Sequence, residues 1–282
     1  MGMKVGIIAG QGDLPSRIAL SAARSGHDVF VVRIKGLADE DALSDVPGVT
    51  LSLGKIGGVI EALHAYGCKS LLFAGYITRP DFASITFDAE GHALLPKITA
   101  AAEQGDDAAI GVFVNAFQDA GFRIVGPEEV YPELLCPQGD LTHKVPDQTD
   151  LSDLSKACRI AGIIGREDIG QGCVVRDGVV VAVEAQEGTD AMLQRAGELD
   201  LNYRPGQSGL GGVLVKRAKP GQEKRVDLPV IGVRTVELAS QAGLAGIGLE
   251  AGASLIIDRA AVIDAANRLG LFLTGMQLDL DV

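Results

Sequence analysis

The sequence predicts an α/β protein of two domains, an N-terminal Rossmann-like domain on a parallel sheet and a C-terminal mixed α/β domain. Three observations predict it. Short aliphatic runs alternate with helix-length amphipathic runs from Val5 to Val125. A proline-interrupted stretch without any period follows, and beyond it β-branched hairpin signals mix with helical ones. The composition agrees: 47% of residues are apolar, 22% are charged and Trp is absent, which suits aliphatic strands layered against small-residue helices.

Taken in order, "MKVGIIAGQGDLPSRIALSAARSGHDVFVVRI" reads as strand 5–8, a glycine turn, helix 14–24 and strand 29–34. This is a β-α-β unit with the connection length of a parallel crossover. Helices over 56–66 and 107–120 and strands over 70–74 and 123–125 continue the alternation, so a parallel sheet covered on both faces is expected. "GPEEVYPELLCPQGDLTHKVPDQTD" breaks it, placing an N-terminal domain at 1–130, a connection at 131–149 and a C-terminal catalytic domain at 150–282. There the pattern predicts a helix over 151–161, then a hairpin of strands 174–176 and 179–183 around Asp177-Gly178. Helices over 191–199, 236–242 and 260–269 and strands over 213–215, 230–233 and 255–257 complete it.

A formal net charge of −12 excludes general nucleic-acid binding, which needs a broad basic face. The cysteines (Cys68, Cys136, Cys158, Cys173) form no C-x-x-C pair, and reduced core thiols are expected. The N-terminus has no apolar signal region and no apolar run reaches about 18 residues, so a soluble cytoplasmic protein is expected. No H-E-x-x-H, G-x-S-x-G or Walker A motif occurs.

Three stretches carry chemistry. "AGQGDLP" resembles a dinucleotide turn, but Pro15 stands where the third glycine belongs, and Arg33 and Lys35 follow the second strand where a ribose-binding acid would stand. It is either an anion-binding turn at a helix N-terminus or a plain turn with Asp13 as cap. In "VEAQEGTDAMLQR", Thr189 or Asp190 is a natural N-cap. Glu184, Glu187 and Asp190 also cluster at a strand end, where carboxylates could hold Mg²⁺. "KRAKPGQEKRVDLP" puts Lys216, Arg217, Lys219, Lys224 and Arg225 within ten positions, followed by Asp227. It reads as a solvated charge run or as a concavity for an anion, with alternation sending Lys216 and Arg217 to opposite sides.

"GIIAGQGDLP", "GYITRP" at 75–80, "VEAQEGTDAML" at 183–193, "VLVKRAKPGQEKRVDLPVIG" at 213–232 and "AGLAGIGLEAGASLIID" at 242–258 resemble the UDP-2,3-diacylglucosamine pyrophosphatase family of lipid A biosynthesis, LpxI type. The likeness spans the chain in order, without departures at the motif positions. It implies Mg²⁺-dependent cleavage of UDP-2,3-diacylglucosamine to UMP and 2,3-diacylglucosamine 1-phosphate (lipid X). Water would be directed to the phosphorus attached to the sugar. It further implies a lipid held between two domains, a homodimer, and transient contact with the cytoplasmic side of the inner membrane. The essential carboxylate of the R-x-D-L-P block falls on Asp227, as metal ligand or proton acceptor. Asp190 and Glu184 are the further metal candidates. Gly10, Gln11, Gly12, Asp13, Gly75, Thr78, Arg79, Gly188, Thr189, Asp190, Lys216, Lys219 and Gln222 are the substrate-binding candidates. A sugar-nucleotide or lipid carrier without chemistry is the alternative, and a Rossmann oxidoreductase is disfavoured by the broken fingerprint.

Overall fold

The chain's first strand, β1 (Lys4–Ala9), lies at the centre of a parallel sheet because its aliphatic residues are buried on both faces. The computed structural model describes residues 2–77, 81, 84–199, 210–221 and 223–278. Two compact units emerge, 1–132 and 133–282. In the first, β1 leads through α1 (Leu14–Arg24) to β2 (Asp28–Ile34) and β3 (Gly48–Leu51). Next come α2 (Ile56–Tyr66), β4 (Ser70–Ala74), α3 (Ala89–Ala102), α4 (Asp106–Asp119), β5 (Arg123–Ile124) and α5 (Pro127–Val130). The sheet order is β3-β2-β1-β4-β5, parallel throughout. The winding reverses between β1 and β4, whose last residues Ala9 and Ala74 are paired, which is where open α/β sheets leave a crevice.

Besides the short α5, which lies in the proline-interrupted stretch, two elements of this unit escape the sequence pattern. β3 is a partly exposed edge strand without a clean alternation, and α3 carries Pro96 inside it, which a periodicity reading takes as a break. α3 starts where it does because the Asp88 side chain accepts the Gly91 amide at 2.9 Å.

The second unit begins earlier than expected. Residues 131–149 are not a connection: Cys136 N donates to Ser254 O at 2.8 Å and Leu141 N to Leu273 O at 2.9 Å. β6 (Gly139–Asp140) forms a sheet edge, pairing antiparallel with β13 (Phe272–Met276). α6 (Gln148–Arg166) starts at a reciprocal capping box between Asp147 and Asp150. β7 (Gly172–Arg176) and β8 (Val179–Val183) form the hairpin at Asp177-Gly178, whose turn amides both donate to the buried Asp153 carboxylate at 2.8 and 2.7 Å. Then follow α7 (Gly188–Glu198), β9 (Val213–Lys216), β10 (Val230–Ile231), α8 (Val233–Gln241), β11 (Gly246–Glu250), β12 (Leu255–Ile256) and α9 (Arg259–Leu269). The large sheet runs β6-β13-β11-β9-β7-β8, while β10 and β12 pair separately.

The large sheet has a core on each face. Val213 and Val215 of β9 pack with Leu154, Ala157, Cys158 and Ala161 of α6. Leu214 joins Met192, Val236 and Val262 from α7, α8 and α9 on the other face. Alternation therefore turns the next residue, Lys216, toward α7. No helix among the described residues is long and apolar enough to cross a membrane.

All four cysteines are buried and free. Burial pushes the thiols of Cys68 and Cys136 up to about 11 and that of Cys173 to about 12. An unfolded thiol ionises near about 8.5, so above that pH the unfolded chain releases protons that the native one retains. Stability is fully present below that value and should decline as pH rises toward the native values. A thiol reagent at pH about 8 should label the native chain slowly and all four sites after unfolding. Fast native labelling with a flat alkaline stability profile would contradict this burial.

Candidate active site

Lys216 ends β9 with its side chain only 5% exposed. A buried ammonium needs acceptors, and it finds Thr189 Oγ1 at 2.6 Å and the Val230 carbonyl at 3.4 Å. Thr189 in turn donates to Glu184 Oε1 at 2.8 Å, and that oxygen lies 4.0 Å from the Lys216 ammonium. The strand-end glutamate, the first turn of α7 and the last residue of β9 therefore meet. Gly188 opens α7 at φ +76°, a left-handed backbone that glycine adopts at little cost.

The helix start differs from the sequence expectation. Neither Thr189 nor Asp190 is the N-cap: Glu187 holds that position and accepts the Ala185 amide at 3.1 Å. Its ion pair with Arg195, at 2.8 Å, holds its carboxyl below the usual range. Asp190 lies in the first turn and pairs with Arg234 at 2.5 Å.

The run of cations is dispersed rather than gathered. Arg217 turns to the α6 face, its Nη1 donating to the Cys158 carbonyl at 3.5 Å. Lys219 pairs with Asp168 at 2.6 Å. Arg225 grips Glu223 through Nε and Nη2 at 2.8 and 2.5 Å, lowering that carboxyl. Lys224 is exposed. Sequence reasoning missed Asp168 and Glu223 as partners. The first is remote in the chain, but the second was legible as the acid two residues before Arg225.

Asp227 is half-buried at the end of the turn made by these residues, its amide donating to Glu223 O at 3.1 Å. Leu228 and Pro229 after it are buried, and the Pro229 carbonyl accepts Leu255 N at 2.7 Å. The turn and the β10–β12 ladder thus fix its backbone from both sides.

Asp227, Asp190 and Glu184 do not form the metal site expected of them. Among the described residues no three His, Cys, Asp or Glu side chains are grouped to hold a metal. Asp190 already faces Arg234, and Glu184 has the Lys216 ammonium beside it, where a second cation would be repelled. Mg²⁺ commonly takes only one or two carboxylates plus phosphate oxygens and waters, a donor set that one carboxylate such as Asp227 would fit.

In the first unit, Gly10 and Gln11 lie against Gly75, and Gly12 beside the Tyr76 ring, at the β1/β4 reversal. Gly10 N donates to Ala74 O at 2.8 Å, Gln11 N to Tyr76 O at 2.9 Å and Tyr76 N to Gln11 O at 3.2 Å. The turn is therefore stitched to the loop after β4, and two of the amides expected to face an anion are already bonded. Asp13 occupies the N-cap position of α1, but its side chain makes no capping bond. Thr78, Arg79 and Gln222 lie outside the described residues.

The first unit matches the family model described as the LpxI N-terminal domain over residues 4–134, and the second the LpxI C-terminal domain over 137–274. A curated relative from Caulobacter vibrioides, "UDP-2,3-diacylglucosamine pyrophosphatase LpxI", is 46% identical over 273 residues, covering 97% of each chain. The chain belongs to the LpxI family. Among solved structures, a provisionally named NAD-dependent epimerase/dehydratase from Methylobacillus flagellatus is 13% identical. It aligns over 52% of this chain and 44% of its own, with a TM-score of 0.25, a likeness too slight to bear on chemistry.

In this LpxI chain the close approach at the β1/β4 reversal depends on glycine. Gly75 has φ +82°, and a Cβ there would overlap the Gln11 carbonyl. Gly75→Ala should destabilise the first unit by about 1–3 kcal/mol from backbone strain and overlap, measurable by urea unfolding. An unchanged midpoint would contradict the stitched turn.

Proposed function

We propose that this chain hydrolyses the pyrophosphate bond of UDP-2,3-diacylglucosamine to UMP and 2,3-diacylglucosamine 1-phosphate, with Mg²⁺ as cofactor. The observation that carries the proposal is the 46% identity, over 97% of both chains, to a relative named for that pyrophosphatase activity. The placement of Lys216, Thr189 and Asp227 supports it. Water oxygen bonds to the phosphorus on the sugar side, the bond from that phosphorus to the bridging oxygen breaks, and UMP leaves with that oxygen. Charge gathers on the phosphoryl oxygens as this happens, so fixed cations and helix dipoles do most of the work.

Lys216 is the phosphate-binding cation. It stands beside the first turn of α7, an end whose dipole also favours an anion. Lys219 would first have to leave Asp168 and is secondary. Asp227 accepts the proton of the attacking water or holds the metal. Asp227, together with the substrate's own phosphates, would hold Mg²⁺, which would supply further neutralisation of that charge. The diacyl substrate brings the enzyme, as a homodimer, into transient contact with the cytoplasmic face of the inner membrane.

Asp227→Asn removes the charge with little change of shape, so turnover should collapse while the melting temperature stays within a few degrees of wild type. A variant that melts early yet turns over normally would make Asp227 only a turn residue. Lys216→Ala should lose an interaction of about 1.5–3 kcal/mol, seen as reduced kcat/KM for UMP release. Arg217→Ala should act mainly on stability, since its side chain packs on α6. Equal losses of kcat/KM in the two would overturn the two-faced reading of β9.

A further inference from the structure

Glu184 has no role in the chemistry above, yet it is closely packed. It is 6% exposed, and its amide donates to Gly172 O at 2.9 Å. A Cβ at Gly170 would overlap its carbonyl oxygen, and one at Gly172 would overlap Oε2. Oε1 accepts the Thr189 hydroxyl, while Oε2 is buried and has no hydrogen-bond partner among the described residues. Two glycines thus leave room for a carboxylate that uses one oxygen.

The hydroxyl between them has one proton and two lone pairs. An ammonium can only donate, so Thr189 must accept from Lys216, and its single proton goes to Glu184. The direction of the chain is fixed: Lys216 to Thr189 to Glu184. A lysine side chain is long and rotatable, and ordering it on binding weakens a complex. Here it is ordered beforehand. Buried ion pairs contribute little to stability compared with apolar packing, so this one calls for another explanation.

We infer that Glu184 is a positioning residue: through Thr189 it holds the Lys216 ammonium at the first turn of α7, ready for a phosphate group of the substrate. The inference rests on the pyrophosphatase reading. It replaces the metal-ligand assignment of Glu184, because the positive charge beside this carboxylate is already provided by the protein.

The test compares wild type, Glu184→Gln, Gly172→Ala, Lys216→Ala and the double variant Glu184→Gln/Lys216→Ala. UMP release is measured against UDP-2,3-diacylglucosamine concentration at low and high Mg²⁺, with thermal melting on the same samples. Glu184→Gln should raise KM by roughly tenfold or more with a near-native melting temperature. Gly172→Ala keeps the charge but displaces the carboxylate, so it should move KM in the same direction by less, and it stands in if Glu184→Gln fails to fold. Adding Glu184→Gln to Lys216→Ala should cost less than about twofold further, because both act on one contact. Additive losses, an unchanged KM, or rescue of Glu184→Gln by high Mg²⁺ would each overturn the positioning role. If wild type releases UMP and these patterns fail, the inference alone is wrong; if wild type releases none, the pyrophosphatase reading falls and takes the inference with it.

Discussion

A cation buried at the end of a sheet strand constrains everything packed around it. Lys216 continues β9 one residue past Val215, on the face that Leu214 shares with α7, α8 and α9. Its ammonium cannot be left there without acceptors. It meets the oxygen of Thr189 in the first turn of α7, and Thr189 in turn meets Glu184 just past the end of β8. Glycines at 170 and 172 follow, since larger residues would overlap the glutamate. A single polar contact thereby ties together the hairpin, a helix start and a central strand.

The surrounding charges show how an acidic chain handles a local run of cations. Arg217, Lys219 and Arg225 each meet protein atoms of their own, at Cys158, Asp168 and Glu223. Those pairs shape the turn that carries Asp227, whose backbone is then held by Glu223 on one side and the Pro229–Leu255 bond on the other. Partly exposed pairs of this kind contribute little stability individually. Their use is geometric, setting a half-buried carboxylate on a defined turn.

Much of this was legible where the signal is local. α1 and α2 follow amphipathic periods, and α2 stops at Gly67, whose φ of +87° gives the left-handed cap expected of glycine. The alternation "VLVK" assigned Lys216 and Arg217 to opposite faces. What failed depends on partners remote in sequence. β11 and β13 carry glycines in place of β-branched residues, because a Cβ at Gly246 would overlap the Phe272 ring and one at Gly275 the Pro137 carbonyl. β6 is too short to recognise without its partner β13. Glu184 and Asp190 were visible as clustered acids, but the sequence could not show that Lys216 and Arg234 face them. Cations there turn an expected metal cage into two ion pairs.

Addition of water across the pyrophosphate at the sugar-side phosphorus is the step on which the proposed activity turns. Reaction in ¹⁸O-labelled water, followed by mass spectrometry of both products, tests it most directly. One labelled oxygen is expected in 2,3-diacylglucosamine 1-phosphate and none in UMP. Label in UMP, or no products at all, would contradict it.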